Sequence, residues 1–377
     1  MRDNEEKNPI NELIEQCSDC GACSDICSLL EEIGESPATI AARGATVEEA
    51  FSCSLCELCE SVCPLDLSPV QMFQAKRNEA VANDEIDIDD YRYLFPDRPM
   101  NVMSLFRQVY GVDYQDLNQT KVTKTAFFPG CTMMTYSPDL TRKVFATLSK
   151  SYSDIVFLED CCGKPLYQIG VTKRGDKNRE HLRDKIKSLG IKRLVVACPN
   201  CYYELRKVFS EFDIELLTVY EVFKEQGHKT TSNNMRKCTV HDSCPDRFDG
   251  IFGQQVRQAL REANFPILEM EHSQETTICC GSGGQLSHFR PDFAEELVEL
   301  RLEEAKKTGA EILIAYCHSC VLNFARDPSG IKVMHVLNLL LDFEEDYDGV
   351  KNKAGEMFEG PAGVENWEKI MKKSEEE

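Results

Sequence analysis

Two stretches of this 377-residue chain set cysteines at the same spacing. Residues 17–27 read CSDCGACSDIC and residues 53–64 read CSLCELCESVCP, so both follow C-x2-C-x2-C-x3-C. Later the chain reads EDCCGKP at 159–165 and CCGSGG at 279–284. Adjacent cysteines rarely bond to each other, because a disulfide needs a Cα spacing and side-chain directions that neighbours in a trans chain do not offer. These pairs therefore ask for a ligand. Each has companions: Cys131, Cys198 and Cys201 accompany Cys161 and Cys162, while Cys244, Cys317 and Cys320 accompany Cys279 and Cys280. Offsets between corresponding cysteines stay between 113 and 119 positions, the mark of an internal repeat. Of the 19 cysteines only Cys238 is left over, and it reads as a small buried hydrophobe.

Metal is the chemistry these thiols point to. The N-terminus MRDNEEKNPI is polar and acidic, without the apolar core of a secretory signal, and no apolar run reaches the roughly 18 residues a spanning helix needs. The expected location is cytoplasmic, with any membrane association made through a partner, and there thiols favour metal over disulfides. Zinc also takes C-x2-C pairs, but four ligands satisfy it, and two repeated four-cysteine runs exceed that need. The runs resemble the bacterial two-cluster ferredoxin pattern, in which the fourth cysteine of each run ligates the other cluster. That resemblance implies one [4Fe–4S] cubane on Cys17, Cys20, Cys23 and Cys63, and a second on Cys53, Cys56, Cys59 and Cys27.

The formal charge of −21 argues against nucleic acid and anionic lipid as general partners. The basic stretch at 171–187 reads as the solvated face of a helix. GSGGQ lacks the spacing of a dinucleotide-phosphate loop.

The elements that must hold the thiols are readable in outline. Between the front runs the chain is rich in Leu, Ile, Ala and Glu, broken by Gly and Pro, which predicts short helices. From residue 122 apolar strand-like runs alternate with helical ones: TAFFPGC, DIVFLED and KRLVVACPNC, then KCTVHDSC, FPILEMEH and AEILIAYCHSC. The fold class is α/β, with an N-terminal helical ferredoxin domain and two duplicated α/β units of mostly parallel sheet. The expected boundaries are 1–95 for the ferredoxin-like domain, 96–121 for a linker, 122–232 and 233–345 for the two units, and 346–377 for an acidic, flexible tail. In such sheets ligands sit beyond the carboxyl ends of the strands, where these cysteines fall.

Five thiols per unit exceed what a cubane takes. The pattern C…CCG…C-x2-C, present twice, resembles the CCG domains of the catalytic subunit of heterodisulfide reductases, and the front runs resemble their ferredoxin-like subunit. Both in one chain is similar to the fused, membrane-type form of the catalytic subunit in that family. The iron–sulfur subunits of glycolate oxidase and anaerobic glycerol-3-phosphate dehydrogenase are similar in architecture. The resemblance covers about residues 10 to 345. It implies one or two further [4Fe–4S] clusters, of noncubane type, on Cys131, Cys161, Cys162, Cys198 and Cys201 and on Cys244, Cys279, Cys280, Cys317 and Cys320. It implies that a heterodisulfide is reduced between them, with electrons supplied by a flavoprotein, a ferredoxin or a membrane cytochrome subunit. The alternative is a non-catalytic relay from a flavin-dependent dehydrogenase of the glycolate, lactate or glycerol-3-phosphate type towards quinone. One departure stands out: HDSCPDR places Ser243 and Pro245 around Cys244, where the reductases often have proline and histidine. His241 and His318 are the nearby candidates for handling a proton, against the simpler roles of capping a turn and hydrogen-bonding a cluster sulfide.

Overall fold

The computed structural model of the chain describes residues 8–117, 122–228, 236–325 and 330–373. Residues 1–7, part of the linker at 118–121 and the last four residues of the tail lie outside the described residues.

The front of the chain is helical. Helices Pro9–Gln16, Ser28–Ile33, Pro37–Arg43, Val47–Ser52, Leu58–Ser61 and Pro69–Ala82 follow one another, with no strand among the described residues of this part. Local chemistry starts them. Asn8 and Ser36 cap helices that begin with proline, and Thr46 and Glu49 form a capping box. Leu13, Leu30, Ile40, Ala50 and Phe73 make the core of this bundle, and Leu286, Phe293 and Leu297, from more than two hundred residues downstream, complete it.

Two parallel sheets follow. The first has order β2-β1-β3-β4, with β1 Thr125–Phe128, β2 Val156–Phe157, β3 Arg193–Val196 and β4 Glu215–Thr218. The second has order β5-β6-β7, with β5 Cys238–His241, β6 Ile312–Ala315 and β7 Lys332–His335. Every pairing is parallel. The repeat expected from the cysteine offsets is present in the topology: β1, β3 and β4 correspond to β5, β6 and β7. The counterpart of β2 shrinks to a single bridge between Cys238 and Ile267. β1, β5 and β6 are buried along their whole length, which is why TAFF, CTVH and ILIA read as unbroken apolar-rich runs. Cys238 is fully buried in β5, as a small hydrophobe would be.

The end of the chain differs from the expected flexible tail. Residues Tyr347–Glu356 and Gly360–Met371 are helices, and they pack on helix Val102–Tyr110 from the expected linker. Leu105, Phe106, Met357 and Ile370 form a small buried core there. Trp367 lies 5.2 Å from the ring of Tyr93, and Arg98 donates to the carbonyls of Ile370 and Lys372, both at 2.5 Å. Polar composition concealed this docking because only one face of each helix is apolar. No helix is long and apolar enough to cross a membrane, among the described residues.

Burying a side chain such as Met357 or Ile370 contributes about 1.5–3 kcal/mol. Deleting residues 346–377 therefore exposes Leu105 and Phe106 and lowers the midpoint of thermal unfolding by about 5 °C or more. Calorimetry on full-length and truncated chains checks this, and an unchanged midpoint contradicts it.

Candidate iron–sulfur sites

Each parallel sheet delivers its thiols past the carboxyl ends of its strands. Cys131 opens the helix after β1, Cys161 and Cys162 follow β2, Cys198 caps the helix after β3, and Cys201 sits in that helix's first turn. The second unit repeats this with Cys244 after β5, Cys317 as the cap after β6, and Cys320 one turn on. The adjacent pairs are held alike at the first sulfur and differently at the carbonyl, which is the first cysteine's in one unit and the second's in the other. The amide of Gly163 donates to Cys161 Sγ at 3.4 Å, and that of Gly281 donates to Cys279 Sγ at 3.3 Å. Asn178 and Asn323 donate to the carbonyls of Cys161 and Cys280. Within each pair the second cysteine, Cys162 or Cys280, faces a cavity of about 730 Å³.

That cavity is shared by the two units. Cys131, Cys198 and Cys201 line it from one side, and Cys244, Cys317 and Cys320 from the other. Contacts cross it: Thr132 Oγ1 lies 3.2 Å from Ser319 Oγ, and the Asn200 amide donates to Cys317 Sγ at 3.7 Å. Lys164, the residue directly after the first CCG, donates from Nζ to Asn200 Oδ1 at 2.8 Å. Its ammonium faces a thiol of each unit: it adds to the pull of Cys161 and Cys201 that holds Cys162 well below its ordinary value, and it opposes the contact with Cys279 and the burial that push Cys244 well above.

The front runs fold into two loops of one shape. Asp19 and Gly21 in the first, and Leu55 and Glu57 at the matching places of the second, all have left-handed backbones, with φ of 51°, 81°, 53° and 63°. For a leucine this conformation is costly, and such strain persists where the surroundings over-determine it. Here it wraps the backbone round the sulfurs, and the Leu55 amide donates to Cys53 Sγ at 3.4 Å. The thiols sort across the runs. Cys17, Cys20, Cys23 and Cys63 surround a cavity of about 460 Å³, which Cys59 also touches, and Cys20 is exposed there. Cys27 instead lies by Cys56, and Cys59 by Cys27 and Cys53.

The second front loop abuts the second unit. Cys56 lies against Cys279. A Cβ on Gly284, whose φ is +60°, would stand 2.8 Å from the carbonyl oxygen of Cys53, so only glycine lets the two backbones approach this closely. Two arginines that sequence reasoning missed clamp this junction. Arg77 donates to the carbonyls of Ala50, Cys53, Gln168 and Gly284, and Arg247 to those of Cys56, Glu275 and Thr277. Backbone carbonyls scattered over the chain leave no sequence signal.

Neither histidine stands as a free acid. His241 is buried, accepts at Nδ1 from Arg301 Nε at 3.1 Å, and is pushed down to about 3 by burial and by that guanidinium. Its ring and the sulfurs of Cys280 and Cys320 offer donor atoms all within 4.8 Å of one another. His318 stacks on His335 with centroids 4.0 Å apart, and burial holds it well below its ordinary value.

The donor chemistry fits iron–sulfur clusters. All 19 cysteines are free thiols. Burial lifts Cys27 to about 11 and Cys53 to about 12, so these sulfurs become ligands where a metal centre takes the proton's place. The 4Fe-4S dicluster domain family matches residues 16–68, and the cysteine-rich CCG domain family matches residues 125–206 and 238–325.

The chain carries two CCG domains behind a 4Fe-4S dicluster domain.

It is 26% identical over 330 residues to the D component of dihydromethanophenazine:CoB–CoM heterodisulfide reductase from Methanosarcina mazei, covering 81% of this chain and 80% of that one. It is 25% identical over 366 residues to the B component of fumarate reductase (CoM/CoB) from Methanothermobacter marburgensis, covering 86% and 71%. Lactate utilization protein A 1 of Bacillus mycoides is 25% identical over 244 residues, covering 58% of this chain and 96% of that protein. The chain is an iron–sulfur electron-transfer protein related to these oxidoreductase components.

Gly130 tests the packing of the first CCG site. Its φ is +90°, and an added Cβ would meet Cys198 Cβ at 2.7 Å and Cys201 Sγ at 3.4 Å. Gly130→Ala should cost about 1–3 kcal/mol in strain and release iron from the first unit while sparing the front clusters. Iron analysis with visible and EPR spectra reads this, and full iron retention would contradict the close packing.

Proposed function

We propose that this chain takes electrons from a redox partner, passes them through two ferredoxin-type clusters, and uses the CCG sites to reduce a disulfide. The observation that carries the reading is the cavity of about 730 Å³ into which four thiols of each CCG unit face. Cys17, Cys20, Cys23 and Cys63 would hold one [4Fe–4S] cluster, and Cys27, Cys53, Cys56 and Cys59 the other. The five thiols of each unit would hold a further cluster, which the resemblance makes noncubane. When bound, these clusters supply one-electron redox chemistry.

The overall reaction consumes two electrons and two protons and turns RS–SR′ into RSH and R′SH. The partner, a flavoprotein, ferredoxin or membrane cytochrome subunit, supplies the electrons singly. The contact of Cys56 with Cys279 makes the second unit the point of entry. The chain's own residues shape the rest. The cavity admits a small disulfide between the two thiol sets. Asn200 accepts from Lys164 and donates to Cys317, which orients the lysine towards both. The Lys164 Nζ is the proton donor placed to neutralise a departing thiolate, a role neither buried histidine fills.

Similarity to lactate utilization protein A supports a second reading, a relay within a flavin-dependent dehydrogenase, since nearly the whole of that protein is matched.

The chain purified without oxygen should reduce disulfides when given an artificial donor. After mild oxidation it should show a paramagnetic signal that appears only with added thiol. Full iron content with neither result would leave the relay. Lys164→Gln should lower kcat/KM for disulfide by about 100-fold without loss of iron, and an unaltered value would remove Lys164 from the reaction.

A further inference from the structure

We infer that the two buried guanidiniums at the junction, Arg77 and Arg247, act as positioning charges that raise the reduction potential of the cluster on Cys53 and Cys56 above that of its outer neighbour. An incoming electron then rests at the inner cluster, beside the second CCG unit. The inference rests on the ligand sets proposed above.

Arg77 is fully buried and Arg247 is 3% exposed. Their acceptors are backbone carbonyls throughout: Arg77 Nη2 reaches Cys53 O at 2.5 Å and Arg247 Nε reaches Cys56 O at 3.1 Å. Among the described residues neither makes an ion pair with a carboxylate. The other deeply buried arginines of the second unit do: Arg257 pairs with Asp242 and Glu269, and Arg301 with Glu304. A buried charge without a counter-charge is strongly unfavourable. Two such cations on one loop therefore call for an anion between them. The thiolates of that loop, with the negative charge a four-thiolate cluster carries, are the anion at hand.

The outer loop has the opposite surroundings. Asp19, Asp25, Glu31 and Glu35 line its cavity. The sole basic residue between 8 and 68 is Arg43, which is bound to Glu35 and Glu49 at the surface. Reduction adds a negative charge to a cluster, so nearby cations favour the reduced state and nearby anions disfavour it. The two front sites are thereby separated in potential in the direction of the CCG units.

The test is an EPR-monitored redox titration of the full chain, purified without oxygen, as wild type, Arg77→Met, Arg77→Lys, Arg247→Met and Arg247→Lys. The wild-type front clusters should titrate separately. In each methionine variant the higher-potential cluster should move to lower potential. At a fixed poise its reduced-to-oxidised ratio should fall about tenfold or more, tenfold being the scale of one charge about 12 Å away at an effective dielectric of about 20. The lower-potential cluster should stay in place, and the lysine variants should stay near wild type. Unmoved potentials with full iron, equal shifts in both clusters, or lysine variants that behave like methionine would each overturn the inference. If Arg77→Met fails to load iron, the Arg247 pair decides alone, because Arg247 reaches the loop from outside the ferredoxin domain. Iron content and the thiol-dependent signal on the same samples report separately on the cluster sites and on disulfide reduction.

Discussion

Thiols gathered in a dry interior resist ionising one by one, and once ionised they repel. A chain that brings five of them to one rim, twice, must force the convergence with backbone that has no freedom to relax. The parallel sheet provides that force. Strands β1 to β3 and β5 to β6 start at scattered places in the sequence but end side by side, so the residues just past their carboxyl ends are neighbours whatever their separation along the chain. Helix caps fix the last ångströms: Cys198 and Cys317 are both N-caps, with Cys201 and Cys320 one turn further on.

The duplicated units are alike in this, and they differ in what they touch. The second unit shares a hydrophobic core with the ferredoxin domain through Leu286, Phe293 and Leu297. Its glycines at 283 and 284 lie directly on the backbone of the second cysteine run. The first unit meets that domain mainly through Gln168 and Gly170, at the far end of Arg77. Duplication of the thiol geometry and asymmetry of the electrical connection thus come from separate parts of the fold. The strand ends set the first, and the loop after Cys280 sets the second.

Much of this was legible in the residues alone. The cysteine spacings located every thiol group. TAFF, RLVV and ILIA are short apolar runs of the kind that central parallel strands show. Three features were not legible. β4 and β7 are ELLT and KVMH, half-exposed edge strands whose mixed composition carries little signal until a neighbouring strand is present. The segment corresponding to β2 in the second unit reads as apolar, yet keeps only the bridge at Ile267. Helices 347–356 and 360–371 look like solvated tail because their apolar residues are few and find partners only in the helix after Asn101. In each case the deciding contact lies far away in sequence.

Arg77 is the sharpest example of that limit and also shows what it conceals. In sequence it is one more arginine on an ordinary helix, QMFQAKRNEA. In the fold it is the place where the ferredoxin domain and both CCG units hold the same side chain through four carbonyls. Carbonyls satisfy its hydrogen bonds without cancelling its charge. A carboxylate would have satisfied the hydrogen bonds and cancelled the charge, and the chain has 64 acidic residues from which to supply one. That a strongly acidic protein leaves a cation uncompensated here is explained if the compensating charge arrives with the clusters. The same guanidinium then ties assembly of the three parts to loading of the site between them.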